Sequence, residues 1–339
     1  MRARRGILLA GAGLAAATLA LTGCTAPEDD AETLTVYVGR DESLVGPLIE
    51  QFEQETGITV EARYAATPEL TALLLEEGDR TPAEVFLSQD AGALGALADA
   101  DLVTEIPSDL ADLIPDGFTS TDDSWIGVTG RARVIAYDGE QLTEDEVPDT
   151  VDDLTGEEWS GQVAFAPGNA SFQSFITALR VLEGEDAAAA WVEGMAANDP
   201  ELTENNLASL DLVNTGQAQL GLINHYYWFR QAAEVGADNM RAQLKFLPGD
   251  PGGIVNVTGA AILNGAADDD AARAFVEFLV SEEAQQYFVE ETFEYPLLPG
   301  VDAPDGLPAI DTLVNPGLDL SDLDSVGESQ QLLADNGLI

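Results

Sequence analysis

The sequence predicts an α/β fold in two lobes, each a mostly parallel sheet covered by helices, and three observations carry that prediction. Strand and helix periodicities alternate from residue 34 onward, and the alternation restarts near residue 162. Two long apolar runs, 126–137 and 252–263, are placed to carry the chain from one lobe to the other and back. Two crossings make a hinge.

Residues 34–38 read as a strand, and 44–56 as a helix because Leu44, Leu48, Ile49 and Phe52 recur at helical spacing until Gly57 stops them. Residues 58–64 form the second strand, 68–77 the second helix and 83–87 the third strand, followed by an Ala/Leu-rich helix near 92–99. This βαβαβα opening predicts parallel strands with helices laid over them. The first apolar run is interrupted by Gly130, Arg131 and Arg133. A second α/β set follows, with strands at 162–166 and 219–223 and helices at 171–182, 186–197 and 227–235. Past the second apolar run a helix is expected over 270–290, with Ala274, Phe275, Phe278 and Leu279 on one face, and a short terminal helix over 325–339. No internal repeat is evident.

The 339 residues include 62 Asp and Glu against 13 Lys and Arg, for a formal net charge of -49. Basic proteins bind a phosphate backbone by releasing its counterions, so this charge excludes a nucleic-acid partner. With 45% hydrophobic residues the chain can bury ordinary cores, and its one Cys rules out a disulfide scaffold. Lys245 is the only lysine, and the acids spread along the whole chain. That pattern suits high salt, where screening cuts self-repulsion; an acid coat that draws cations toward a site is the other reading.

Arg2, Arg4 and Arg5, an uncharged stretch over 6–21, and a Leu-x-Gly-Cys ending at Leu21, Gly23 and Cys24 read as an export signal over residues 1–23. The paired Arg4 and Arg5 permit a twin-arginine route. The uncharged stretch falls short of the roughly 20 mostly apolar residues that a bilayer span needs. The ending resembles the lipobox of prokaryotic lipoproteins, in which the Cys is acylated and becomes the mature N-terminus. Cys24 is therefore expected to carry a lipid and residues 24–33 to form a tether. The folded body is expected to be anchored to the membrane, facing the periplasm or the cell exterior.

Ligands of open α/β sheets sit beyond the carboxyl ends of strands, which brings four segments into view: the turn after Val38, the turn after Leu87, residues 168–171 and residues 224–227. Tyr226 and Tyr227 stand where a strand ends and a helix begins. A phenolate is a hard anionic oxygen that suits a small trivalent cation such as Fe(III), and a bound metal deprotonates a phenol whose free pKa is about 10. From the residues alone, packing of Tyr226, Tyr227 and Trp228 at a helix start stays open as the alternative. The chain has no nucleophile elbow, Walker loop or His-Glu-x-x-His helix, and its single His has no Cys partner, so no enzymatic activity is expected.

The chain resembles the ferric-iron-binding periplasmic proteins, the substrate-binding components of iron ABC importers. The likeness runs from about Leu34 to the C-terminus in ordered blocks, at residues 35–37, 52–58, 76–86, 130–134, 223–228, 258–263 and 294–297. It implies the two-lobed periplasmic-binding-protein fold of type II, hinged by two crossing strands. Residues 34–130 plus 256–295 would form lobe 1, and 131–255 plus 296–339 lobe 2. An Fe(III) cargo, an ABC permease with its ATPase as partners, and a monomeric state are expected.

The family's paired tyrosine ligands fall on Tyr226 and Tyr227. Where many members carry a His after the first strand and a Glu after the third, this chain has Asp41 and Gln89. Asp41 offers a hard carboxylate in place of imidazole, and Asp90, beside Gln89, is the acid available to replace the glutamate. A synergistic anion, carbonate or phosphate, is implied too, held at the turn of Asn169 and Ser171 and by Asn206 and Asn224. Arg131 and Arg133 match the family's Gly-Arg-x-Arg stretch; each offers a bidentate contact to such an anion or an interlobe salt bridge. His225 is not expected as a ligand, because one loop would have to present three successive side chains to one ion. The competing readings are the same fold around an oxyanion, phosphonate, thiamine or polyamine, and a sensory binding lipoprotein.

Overall fold

The computed structural model describes residues 32–315 and 317–339; the export signal, Cys24 and nearly all of the tether lie outside the described residues. The chain opens with β1 (Thr33–Val38), α1 (Glu42–Thr56), β2 (Thr59–Tyr64), α2 (Thr67–Glu77), β3 (Val85–Ser88) and α3 (Ala91–Asp99). The three strands are parallel in the order β2-β1-β3. Helix α1 buries Leu44, Val45, Leu48, Ile49 and Phe52 and ends at Gly57, whose φ of 76° is a left-handed conformation that glycine adopts without penalty.

A four-residue helix, α4 (Ser108–Ala111), precedes β4 (Ile126–Asp138), which runs unbroken through the predicted interruption and is buried along its whole length. Gly130 lets it pass, since a Cβ there would lie 2.8 Å from Ile310 Cδ1 and 3.3 Å from Tyr295 Cβ. The second half of the chain adds β5 (Val163–Phe165), α5 (Ala170–Glu183), α6 (Glu185–Ala197), β6 (Glu201–Leu202), α7 (Asn206–Asn214), β7 (Leu220–Asn224) and α8 (His225–Val235). It closes with β8 (Ala242–Phe246), β9 (Val255–Ile262), α9 (Asp270–Leu279), α10 (Glu282–Tyr287), β10 (Tyr295–Pro296) and α11 (Val326–Asp335).

Strand order is β2-β1-β3-β9-β4-β7-β5-β6, with β8 and β10 also on β4. The parallel arrangement holds for β2-β1-β3 and for β7-β5-β6, whereas β4 is antiparallel to each of its partners, so the sheet is mixed. The first part of β4 pairs with β9 and the second part lies between β7 and β8, so one strand belongs to both halves. Below the second half sits a core in which Phe165 and Phe172 stack at 4.6 Å and Phe175 meets Trp191 edge-on at 5.0 Å. The helix expected over 270–290 is two helices, because Ser281 caps α10 by accepting from the Ala284 amide at 3.2 Å. Among the described residues no helix is long and apolar enough to cross a membrane.

Candidate functional site

Strand β7 is buried throughout, and Asn224 ends it in an extended conformation from which α8 starts two residues earlier than its periodicity predicts. His225 is enclosed: its Nε2–H donates to the Phe293 carbonyl at 2.9 Å and its Nδ1 accepts from the Ala132 amide at 3.2 Å. Burial holds it neutral, with a pKa down to about 4. Its ring thus serves as an anchor for the turn, and Tyr226 and Tyr227 line the cleft, their rings stacked at 4.3 Å and inclined by 27°.

The cleft has a volume of 560 Å³ and is lined also by Asp41, Gln89, Asn169 and Asn205, which come from strand ends and helix starts on both sides of β4, and by Arg230 from the second turn of α8. Asp41 is the N-cap residue of α1 but makes no side-chain cap, so its exposed carboxylate is left for the cleft. Burial pushes the Tyr226 phenol well above its ordinary pKa; Tyr227 adds to this and Arg40 opposes it. Tyr227 is raised for the same reason, against a hydrogen bond with Tyr226.

Behind the phenols lies a buried polar ladder. On one face of β4, Thr129, Arg131 and Arg133 stand opposite Thr258, Asn256 and Asn224. Arg40 pairs with Glu294 and Thr258, Glu294 also accepts from Thr129, and the Arg40 guanidinium lies 5.7 Å from the Tyr226 ring centre. Burial disfavours both charges, yet each overrides it for the other, so Arg40 is raised and Glu294 lowered. Arg131 donates through Nη2 to the Val257 carbonyl at 3.1 Å, and Arg133 through Nη1 to the Ser171 hydroxyl at 3.1 Å. Arg131 Nε and Nη1, Arg133 Nη2, Asn224 Nδ2 and Asn256 Nδ2 are buried without a hydrogen-bond partner among the described residues. Burial, then the neighbouring Arg131, brings Arg133 down to about 9.

Asn169, Ser171 and Asn206 meet beside Arg133: the Ser171 hydroxyl donates to Asn169 Oδ1 at 2.8 Å and accepts from Asn206 Nδ2 at 3.4 Å. Asp90 stands apart from this group. It is buried as the N-cap of α3, accepting from the Ala93 amide at 3.3 Å, and faces a separate 160 Å³ cavity. Among the described residues no three His, Cys, Asp or Glu side chains gather to hold a metal, so a cation in the cleft depends on the phenols. Sequence reasoning missed Glu294 and Asn256. Glu294 is separated from Arg40 by 254 positions, and only the long-range pairing of strands reveals it.

The chain matches the bacterial extracellular solute-binding protein family over residues 80–319. It is 32% identical over 322 residues to the major ferric iron-binding protein of Neisseria meningitidis serogroup B, covering 94% of this chain and 96% of that one. The structure of iron-bound HitA from Pseudomonas aeruginosa superposes with a TM-score of 0.85 at 31% identity, over 90% of this chain and 99% of that one. The apo ferric ion-binding protein A of Pasteurella haemolytica gives a TM-score of 0.81 at 25% identity, over 91% and 98%. The mixed sheet, the paired tyrosines at the start of α8 and these likenesses together make this chain a bacterial extracellular solute-binding protein of the ferric-iron-binding periplasmic family.

Proposed function

We propose that the protein binds Fe(III) in this cleft through Tyr226, Tyr227 and Asp41 and delivers it to an ABC permease and its ATPase. The observation that carries the proposal is the stacked pair of phenols in the first turn of α8, beside a carboxylate with no other task. Two phenolates and a carboxylate are hard oxygen donors whose charge balances a trivalent ion. Phenols with raised pKa values must lose their protons to the metal, so loading is favoured as pH rises. Asp90 is left out of the ligand set because its carboxylate is committed to α3.

A carbonate or phosphate ion completes the site in this proposal. A buried donor without an acceptor costs about 1–3 kcal/mol, and an anion among Arg133, Asn224, Ser171, Asn206 and Asn169, with Arg131 alongside, supplies the missing acceptor. The lobes of residues 34–130 plus 256–295 and 131–255 plus 296–339 would close on the cargo by bending where β4 passes from β9 to β7. Lipid on Cys24 would hold this monomer at the outer face of the membrane; the Leu-x-Gly-Cys ending supports that part.

The test is optical. Ferric iron added to apo protein is expected to develop a visible phenolate-to-iron charge-transfer band, and Tyr226→Phe with Tyr227→Phe to remove it. A band that survives the double substitution overturns the ligand assignment.

A further inference from the structure

Two helix starts bring side chains to the wall of the cleft: α3 begins just after Gln89 and Asp90, and α5 just after Asn169. The C-terminal segment touches both helices behind that wall, although among the described residues none of 320–330 lines the cleft. Leu320 and Leu323 are buried, and the Leu323 carbonyl lies so close to the first turn of α3 that a Cβ at Gly92 would overlap it. Directly afterwards α11 lies along α5. The Ser329 and Thr177 hydroxyls share a hydrogen bond at 2.8 Å, and Arg180 Nη1 donates to the Ser325 carbonyl at 2.8 Å.

From α11, Gln330 Nε2 donates to Gln173 Oε1 at 2.9 Å, and Gln173 Nε2 donates in turn to the Pro167 carbonyl at 3.4 Å. Pro167 opens the turn that carries Asn169 and Ser171. A carbonyl only accepts, so Gln173 must present its NH₂ to Pro167, which leaves its oxygen facing α11 and requires a donor there. Gln173 is buried, so water is not at hand to replace that donor.

We propose that Gln330 is a positioning residue for anion capture. Through Gln173 it holds the turn of Asn169 and Ser171 where the Ser171 hydroxyl meets Arg133 and Asn206. The C-terminal segment, fixed on α3 at one end and on α5 at the other, thereby sets how firmly the cleft holds a small oxyanion without touching it. The effect on the anion rests on the anion site proposed above, whereas the effect on the turn does not.

Gln330→Glu keeps the size but puts a carboxylate, which only accepts, where a donor is needed; Gln330→Lys keeps a donor. Ser329→Ala loosens α11 on α5 without entering the Gln330–Gln173–Pro167 chain of hydrogen bonds. Amide hydrogen exchange of the purified apo proteins reads the turn, and equilibrium dialysis against labelled phosphate and, separately, labelled bicarbonate reads the anion. Gln330→Glu is expected to speed exchange at the amides of residues 169–173 about fivefold or more and to weaken anion binding by a similar factor. Gln330→Lys and Ser329→Ala are expected to stay close to the parent in both. Exchange in Gln330→Glu equal to the parent's, or raised equally by Ser329→Ala, overturns the positioning role. Faster exchange with anion binding unmoved overturns the part Gln330 plays in capture. Faster exchange in Gln330→Glu where the parent itself retains neither anion overturns the anion site and leaves the hold on the turn standing.

Discussion

Replacing Glu294 by Gln measures what the buried ion pair behind the tyrosines is worth. Glu294 is fully enclosed and holds Arg40 and Thr129; Arg40 is enclosed as well and lies over Tyr226. Gln keeps the size and one acceptor but removes the negative charge, leaving a guanidinium in the interior without its counterion. Removing one partner of a buried pair costs about 3–5 kcal/mol. Unfolding entropy of about 2.1 cal/mol/K per residue over roughly 300 residues amounts to ~0.65 kcal/mol/K, so the thermal midpoint falls by about 5–8 °C. Calorimetry at neutral pH and constant salt reads this directly. Because Arg40 and Arg131 hold the Glu294 carboxyl below its usual pKa against burial, its contribution is complete above the ordinary carboxylate value. It is lost as pH falls through the folded-state pKa, so the gap between parent and variant must narrow in acid. Exchanging both partners, Arg40→Met with Glu294→Leu, is expected to recover most of the loss. A midpoint drop of less than about 1 °C, or one that persists undiminished in acid, refutes the reasoning.

Asp90→Ala removes the α3 cap and is expected to cost about 1 kcal/mol, with an unchanged endpoint in a ferric titration, since Asp90 lies outside the cleft. Bicarbonate or phosphate at 100 times its Kd is expected to stabilise the parent by about 2.7 kcal/mol, and Arg133→Gln to lose most of that gain in a thermal-shift assay. His225, with its folded pKa of about 4, binds fewer protons than the unfolded chain does between that value and about 6.5. Stability therefore declines by up to ~3 kcal/mol as pH falls across this window, and urea titrations should show a shallower decline in His225→Asn.

The repeating α/β elements were readable because each has one apolar face at a single period: α1 shows its buried stripe from Leu44 to Phe52 directly. Helix α7 and strand β8 were missed. The first has little contrast between its faces, and the second carries Gln243 and Lys245 among its apolar residues. Arg131 and Arg133 read as a break in an apolar run because guanidinium groups ordinarily seek water, yet β4 buries both. The aspartate at 90 looked like a spare acid near a strand end. Its place just before an Ala/Gly-rich helix also signals a cap, and the structure uses it as one. The tyrosine pair was conspicuous by its neighbours in sequence, whereas the Arg40–Glu294 pair depends on two segments that meet only after the sheet has formed.

Strand β4 leaves the lineage of this protein little freedom in length. An added residue ahead of Arg133 would turn the side chains that follow to the opposite face, sending Arg133 into the apolar layer and Val134 into the buried polar ladder beside Asn224. Gains and losses of residues should therefore accumulate in the segments at 100–124 and 139–162, while 126–138 keeps its register across descendants, even where its individual letters drift.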